Sequence, residues 1–185
     1  MVYVYLKEAG QVKLFPYRNQ MLRTTDFINA PCWKRGQGVE DTFQVLLEGR
    51  GVKCRPATLE EQYKHYDYIT DRGTIDVKAR KRIQRNDSKE QDEFVWLEFK
   101  NIHGNTGWLA SDVDFIAFER VKDFVIVRRI YLYDMALEKC NLSNRVTRSS
   151  EALYKGYQRK GAQDLISMIK MQDVLELQSV QIIEK

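Results

Sequence analysis

At 185 residues, 43% hydrophobic and 30% charged, the chain is long enough for one domain with a real core, and its composition excludes wholesale disorder. A formal charge of +4 permits a nucleic-acid partner without requiring one, so the local distribution of charge matters more than its sum. No apolar run approaches the roughly 20 residues that span a bilayer, and a membrane protein is not expected. The N-terminal MVYVYLKEAGQVKLF alternates and carries charges, unlike a signal peptide. Cys32, Cys54 and Cys140 are widely spaced and odd in number, which argues against a disulfide framework or zinc knuckle and for a reducing cytoplasm.

Residues 1–17 alternate like a strand or hairpin, with Gly10 at the turn. Residues 26–37, with Pro31 and Gly36 among polar side chains, read as an irregular connection. A helix is expected from Gly38 to Glu48, with Val39, Phe43, Leu46 and Leu47 at helical spacing and Gly49-Arg50-Gly51 as its stop. Val52–Arg55 reads as a short strand. Thr58-Leu59-Glu60-Glu61 fits a capping box and starts a turn of helix. A hairpin follows over Tyr66–Lys78, then a charged exposed loop over ARKRIQRNDSKEQDE. Further strands are expected at 94–101, 114–120 and 124–132, and a basic helix at 149–160. The spacing over 164–177 fits helix and strand equally. This order argues for an α/β fold of the α+β kind, a mixed central β-sheet flanked by helices. Residues 1–140 are expected to form the core with an N-terminal β extension. Residues 141–185 are expected as a helical, basic extension packed on the same domain.

The hairpin carries the chemistry. Asp76 and Lys78 are two residues apart on one strand and project from the same face, with Ile75, Val77 and Ala79 on the other. That pattern predicts Asp76 and Lys78 in solvent and the apolar residues in the core. Asp67 sits across the hairpin. Mg²⁺ (or Mn²⁺) is held by one or two carboxylates plus waters and phosphate oxygens, a need that two aspartates on adjacent strands meet. A lysine beside them orients a water and offsets charge on a phosphate. The bland alternative is a solvated strand face with cross-strand ion pairing.

A helix bearing Glu40, then Asp67 at a strand, then Asp76-Val77-Lys78 on the next strand resembles the PD-(D/E)xK nuclease superfamily, over roughly Val39 to Leu132. The resemblance implies a restriction-endonuclease-like core and an Mg-dependent endonuclease that hydrolyses phosphodiester bonds of DNA by metal-activated water. It implies Asp67 and Asp76 as metal ligands, Lys78 as the catalytic lysine and Glu40 as an accessory acid, with Glu48 an alternative for that role. Tyr66 stands where the family often has proline, and Asp76 where glutamate is commoner. Glu98-Phe99-Lys100 competes for the third motif on an equally convincing strand, and His65, two residues before Asp67, is a supporting candidate. Alanine at Asp76 or Lys78 is expected to abolish cleavage and leave folding intact.

Arg80, Lys81, Arg82 and Arg85 continue the strand as a ridge suited to phosphates, or as an ordinary charged edge. Tyr154, Tyr157, Arg159 and Lys160 either touch nucleic acid or form a solvated helix face. Trp96 and Trp108 read as core or loop anchors rather than base-stacking platforms. DNA is the favoured partner and RNA is compatible, as is a homodimer. Two other readings stay open: a non-catalytic nucleic-acid-binding module on the same fold, and a small phage or mobile-element interaction protein.

Overall fold

In the computed structural model the described residues are 5–8, 11–14, 31–84 and 86–185, with side chains from residue 35 onward. The turn at Gly10 and the ridge residue Arg85 lie outside them. The fold is α+β. A hairpin of β1 (Tyr5–Glu8) and β2 (Gln11–Leu14) precedes helix α1 (Pro31–Glu48). Then come β3 (Cys54–Pro56), the short helix α2 (Leu59–Gln62), β4 (Tyr68–Thr70) and β5 (Gly73–Lys78). Strand β6 (Phe94–Lys100) leads to β7 (Phe115–Glu119), β8 (Asp123–Arg128) and helix α3 (Arg129–Lys139). The chain closes with β9 (Asn141–Val146), β10 (Lys155–Tyr157), β11 (Leu165–Lys170), α4 (Met171–Leu175) and β12 (Gln181–Glu184).

Six strands form a mixed sheet in the order β12-β8-β7-β5-β4-β3, in which β5 and β7 run parallel and the other neighbours antiparallel. Four more form a second mixed sheet, β6-β11-β10-β9, with β9 and β10 parallel. The parallel connection from β5 to β7 passes through β6, so the chain leaves the first sheet for the second and returns.

The two faces of the six-stranded sheet bury two separate cores. On one, Val39, Phe43 and Leu47 of α1, spaced one helical turn apart, pack on Ile75, Val77, Ala117, Phe124 and Ile126. On the other, Ile116, Phe118, Val125 and Val127 meet Val95, Leu97 and Phe99 of β6 and Leu132, Met135 and Ala136 of α3. A helix therefore packs on each face, α1 alone on one and α3 beside the second sheet on the other. A second sheet with α3 covers the face that carries Asp76 and Lys78. This corrects the expected exposure of Asp76, which is 2% accessible.

Several expected elements change. Helix α1 starts at Pro31, not Gly38, because proline is well suited to a first helical turn and the core face outweighs the cost of interior Gly36 and Gly38. The strand expected over 124–132 ends at Arg128 and continues as α3, whose start has no side-chain cap. The helix expected over 149–160 is a 3-10 turn at Ser149–Glu151 followed by β10. Gly156 explains this: a Cβ there would stand 2.5 Å from the Leu142 carbonyl oxygen, so the residue is spent on a close strand–strand approach. Residues 141–185 are accordingly mostly strands, three in the second sheet and β12 on the edge of the first. Among the described residues, no helix is long and apolar enough to cross a membrane.

The capping box stands as expected. The Thr58 hydroxyl accepts from Glu61 N at 3.4 Å, Glu61 Oε2 accepts from Thr58 N at 2.7 Å, and Arg55 holds the same carboxylate. The Arg55 guanidinium and the Thr58 amide pull the Glu61 carboxyl down to about 2. A depressed folded pKa gives stability that is complete above the unfolded value near 4.5 and lost as pH falls through about 2. Denaturant melts should therefore show Glu61→Gln less stable than wild type at pH 7, with the gap narrowing at pH 3. A gap that stays constant with pH would contradict the pairing.

Candidate functional site

Asp67, Asp76 and Lys78 converge at the mouth of the β4–β5 hairpin. Tyr68 pairs with Ile75, which sets Asp67 opposite Asp76, and the Asp67 amide donates to the Ile75 carbonyl at 2.9 Å. Asp67 Oδ2 accepts from Val77 N at 2.7 Å, anchoring this carboxylate to β5. Lys78 Nζ stands 2.6 Å from Asp76 Oδ1 and 4.9 Å from the centre of the buried Trp108 ring. Asp76 Oδ2 is buried with no hydrogen-bond partner among the described residues. Asp67 lies across the hairpin from it, near enough for the two carboxyls to act on one another.

Glu40 approaches from α1. Burial, then the Asp67 charge, pushes its carboxyl up to about 8 against the pull of Lys78. Burial, then Asp76, raises Asp67 to about 7. Burial also raises Asp76, opposed by Lys78. For Lys78, burial acts to lower the pKa, but Asp76 and Asp67 outweigh it and the ammonium is held above its ordinary value. The cluster is thus three acids around one cation in a poorly solvated place, where burial and mutual repulsion resist ionisation of all three.

His65 belongs to the same neighbourhood. It adopts a left-handed φ of 66°, and burial and the Lys78 charge lower its pKa against Glu98, the Thr106 backbone and Asp67. Glu98 reaches the site from β6 across the inter-sheet space and acts on both Lys78 and His65. Lys100 is exposed at the far end of that strand, opposite Leu165. The rival motif is thereby split: Glu98 faces the cluster and Lys100 does not. Glu48 lies at the exposed end of α1, bonded to Gln44 and near Cys54 Sγ at 3.8 Å.

A groove of about 1440 Å³ opens at Lys78 between the two sheets, lined among others by His65, Glu98, Trp96 and Tyr157. The basic ridge runs along it, tied to acids. Arg80 stands 3.6 Å from Asp92 and 3.9 Å from Glu119, and Arg82 stands 3.4 Å from Glu90. Arg35 of α1 joins this network, donating to Glu119 at 3.1 Å and to the Arg80 carbonyl. Nothing in the sequence singled Arg35 out, since it lay in a stretch read as irregular. Tyr157, Arg159 and Lys160 line the groove, whereas the Tyr154 hydroxyl donates to Asp173 at 2.6 Å in a separate cluster with Lys139. Lys81 is exposed and bridges to Gln91.

Among the described residues, no three His, Cys, Asp or Glu side chains form a ready-made metal cage. Mg²⁺ does not need one: one or two carboxylates suffice, with waters and substrate completing the shell. The orphaned Asp76 Oδ2 and the carboxyls gathered around it suit a hard cation, which would favour their ionised forms. No family model, curated protein or solved structure matches the chain.

Replacing one acid should relieve the mutual repulsion. Asp67→Asn keeps an oxygen for Val77 N and leaves the Asp76–Lys78 pair intact. In chelator at pH 8, calorimetry should show a Tm about 2–4 °C higher than wild type, the shift expected for about 1 kcal/mol in a chain of this size. A lower Tm would show that the Asp67 charge is stabilising.

Proposed function

We propose that the protein is a metal-dependent nuclease of restriction-endonuclease-like architecture, acting on phosphodiester bonds of DNA in the cytoplasm. The observation that carries the reading is the convergence of Asp67, Asp76 and Lys78 at one hairpin mouth, with Asp76 Oδ2 buried and unbonded. The order of helix, strand and strand that delivers Glu40, Asp67 and Asp76-Val77-Lys78 supports it, as does the PD-(D/E)xK resemblance of those residues.

Asp67 and Asp76 would hold Mg²⁺ or Mn²⁺, with Glu40 behind them. The ion supplies polarisation of the phosphoryl group and a more acidic bound water. The chain's own contribution is placement. The Val77 amide fixes the Asp67 carboxylate, and Trp108 beneath Lys78 keeps bulk water from the ammonium. Lys78 then presents a fixed positive charge where an attacking water and a phosphate oxygen meet. Glu98 and His65, on the far side of Lys78, restrict where that ammonium settles. The groove leads away from the cluster with arginines and lysines along its wall, a lining suited to a phosphate backbone.

A non-catalytic nucleic-acid-binding module is the second reading. It is favoured by the groove, which is lined by Lys78 but by none of Glu40, Asp67 and Asp76. Such a module would show salt-sensitive binding with no metal-dependent turnover.

Plasmid nicking in Mg²⁺, Mn²⁺ or EDTA separates the two. The nuclease reading expects conversion in either metal, none in EDTA, at least a ~100-fold loss in Asp67→Asn, the scale of lost electrostatic stabilisation, and a smaller loss in Lys78→Arg, which keeps the charge but displaces it. Asp67→Asn keeps the side-chain volume and Lys78→Arg keeps a cation for Asp76, and circular dichroism matching wild type checks that both fold. Nicking at wild-type rates in either variant would remove that residue from the site.

A further inference from the structure

We infer that the groove takes an unpaired strand of nucleic acid, with a base stacked on Trp96 and Tyr157. This rests on the nuclease reading for what happens to the strand, and on separate residues for how it is held. Strand pairing places Glu98, Ile166 and Tyr157 in a row on one face of the second sheet, with Trp96 one step along β6 on that face. The Trp96 and Tyr157 rings stand 5.8 Å apart at 45°, both partly exposed and both on the groove wall that also holds Lys78.

Trp96 is not a core residue. Its strand neighbours Val95 and Leu97 are buried, while Trp96 turns outward and its indole Nε1 donates to the Arg82 carbonyl at 3.1 Å. That bond fixes the ring and ties it to the basic loop. A large aromatic held open in a wet groove is poorly used for folding but well used as a stacking surface. Charge fits the same occupant. Arg82, Arg159 and Lys160 surround the aromatic pair, and lysines and arginines outnumber glutamates along the lining. Bases inside a duplex are stacked on one another and offer no free face, so an aromatic pair selects strands whose bases are unpaired. Glu98, in the same row as Tyr157, connects this platform to Lys78, so a strand seated on the rings runs toward the acids.

The test is fluorescence anisotropy of the full chain in EDTA with labelled oligo(dT), oligo(rU) and a blunt duplex of equal length. The DNA and RNA arms decide which strand is preferred. Oligo(dT) or oligo(rU) should bind more tightly than duplex, and Trp96→Ala should weaken the single strand by about 5- to 150-fold, the range of one stacked base. Trp96→Phe, which keeps a ring, should stay within about 5-fold of wild type and guards against misfolding. Duplex binding as tight as single-strand binding, or unchanged single-strand affinity in Trp96→Ala, would overturn the inference. Duplex that is bound and cut without help from Trp96 would leave the nuclease reading standing alone. Single strand held through Trp96 but never cut in Mg²⁺ or Mn²⁺ would do the reverse.

Discussion

Burial of Asp76 against Lys78 is the constraint on which the site depends. The pair lies on β5, an interior strand with α1 on one face and the second sheet on the other. An ion pair out of water is stabilising only where its geometry is good and its remaining lone pairs are satisfied, and here one carboxylate oxygen is not. Adding Asp67 and Glu40 makes the imbalance larger. A fold does not gain stability from three acids around one lysine, which marks the cluster as a candidate functional site on physical grounds.

The two-sheet architecture explains how so much charge reaches the interior. The connection from β5 to β7 detours through β6, so the strand carrying Glu98 and Trp96 faces the strand carrying Lys78. At Gly107 a Cβ would stand 2.4 Å from the Glu98 carbonyl oxygen, so the Trp108 segment lies directly against β6 and Trp108 is pressed beneath Lys78. The same detour leaves Arg80 and Arg82, which follow β5, steadied by Glu119, Asp92 and Glu90. These ion pairs are partly exposed and individually weak, but together with Arg35 they fix the groove's rim.

Local signals made the hairpin, the capping box and the apolar face of α1 legible, because each is written in residues a few positions apart. The meeting of Asp67, Asp76 and Lys78 was legible for the same reason. Burial of Asp76 was not, because alternation reports which residues share a face and is silent on what covers it. The covering sheet is assembled from β6 and three strands after residue 140, a pairing with no local trace. Helix α3 was hidden by the unbroken run FVIVRRIYL, which has no glycine, proline or cap where strand becomes helix. Trp96 read as a core or loop anchor although alternation puts it on the face of Glu98 and Lys100, and its partial exposure and its bond to the Arg82 carbonyl show that face turned outward.

The origin of the groups along the chain separates two properties. The acids come from α1 and one hairpin, a short contiguous span. The aromatic and cationic wall comes from β6, the loop before it and the strands after residue 140. Glu98, His65 and the Lys78 ammonium are groups at which the wall and the acids act on one another. Loss of the Lys78 side chain would leave Asp76 as an uncompensated buried charge, a change that costs about 3–5 kcal/mol. The sequence had suggested that alanine there would spare the fold. With Asp76 buried, Lys78 is tied to the fold itself, whereas Trp96 stands outside the core.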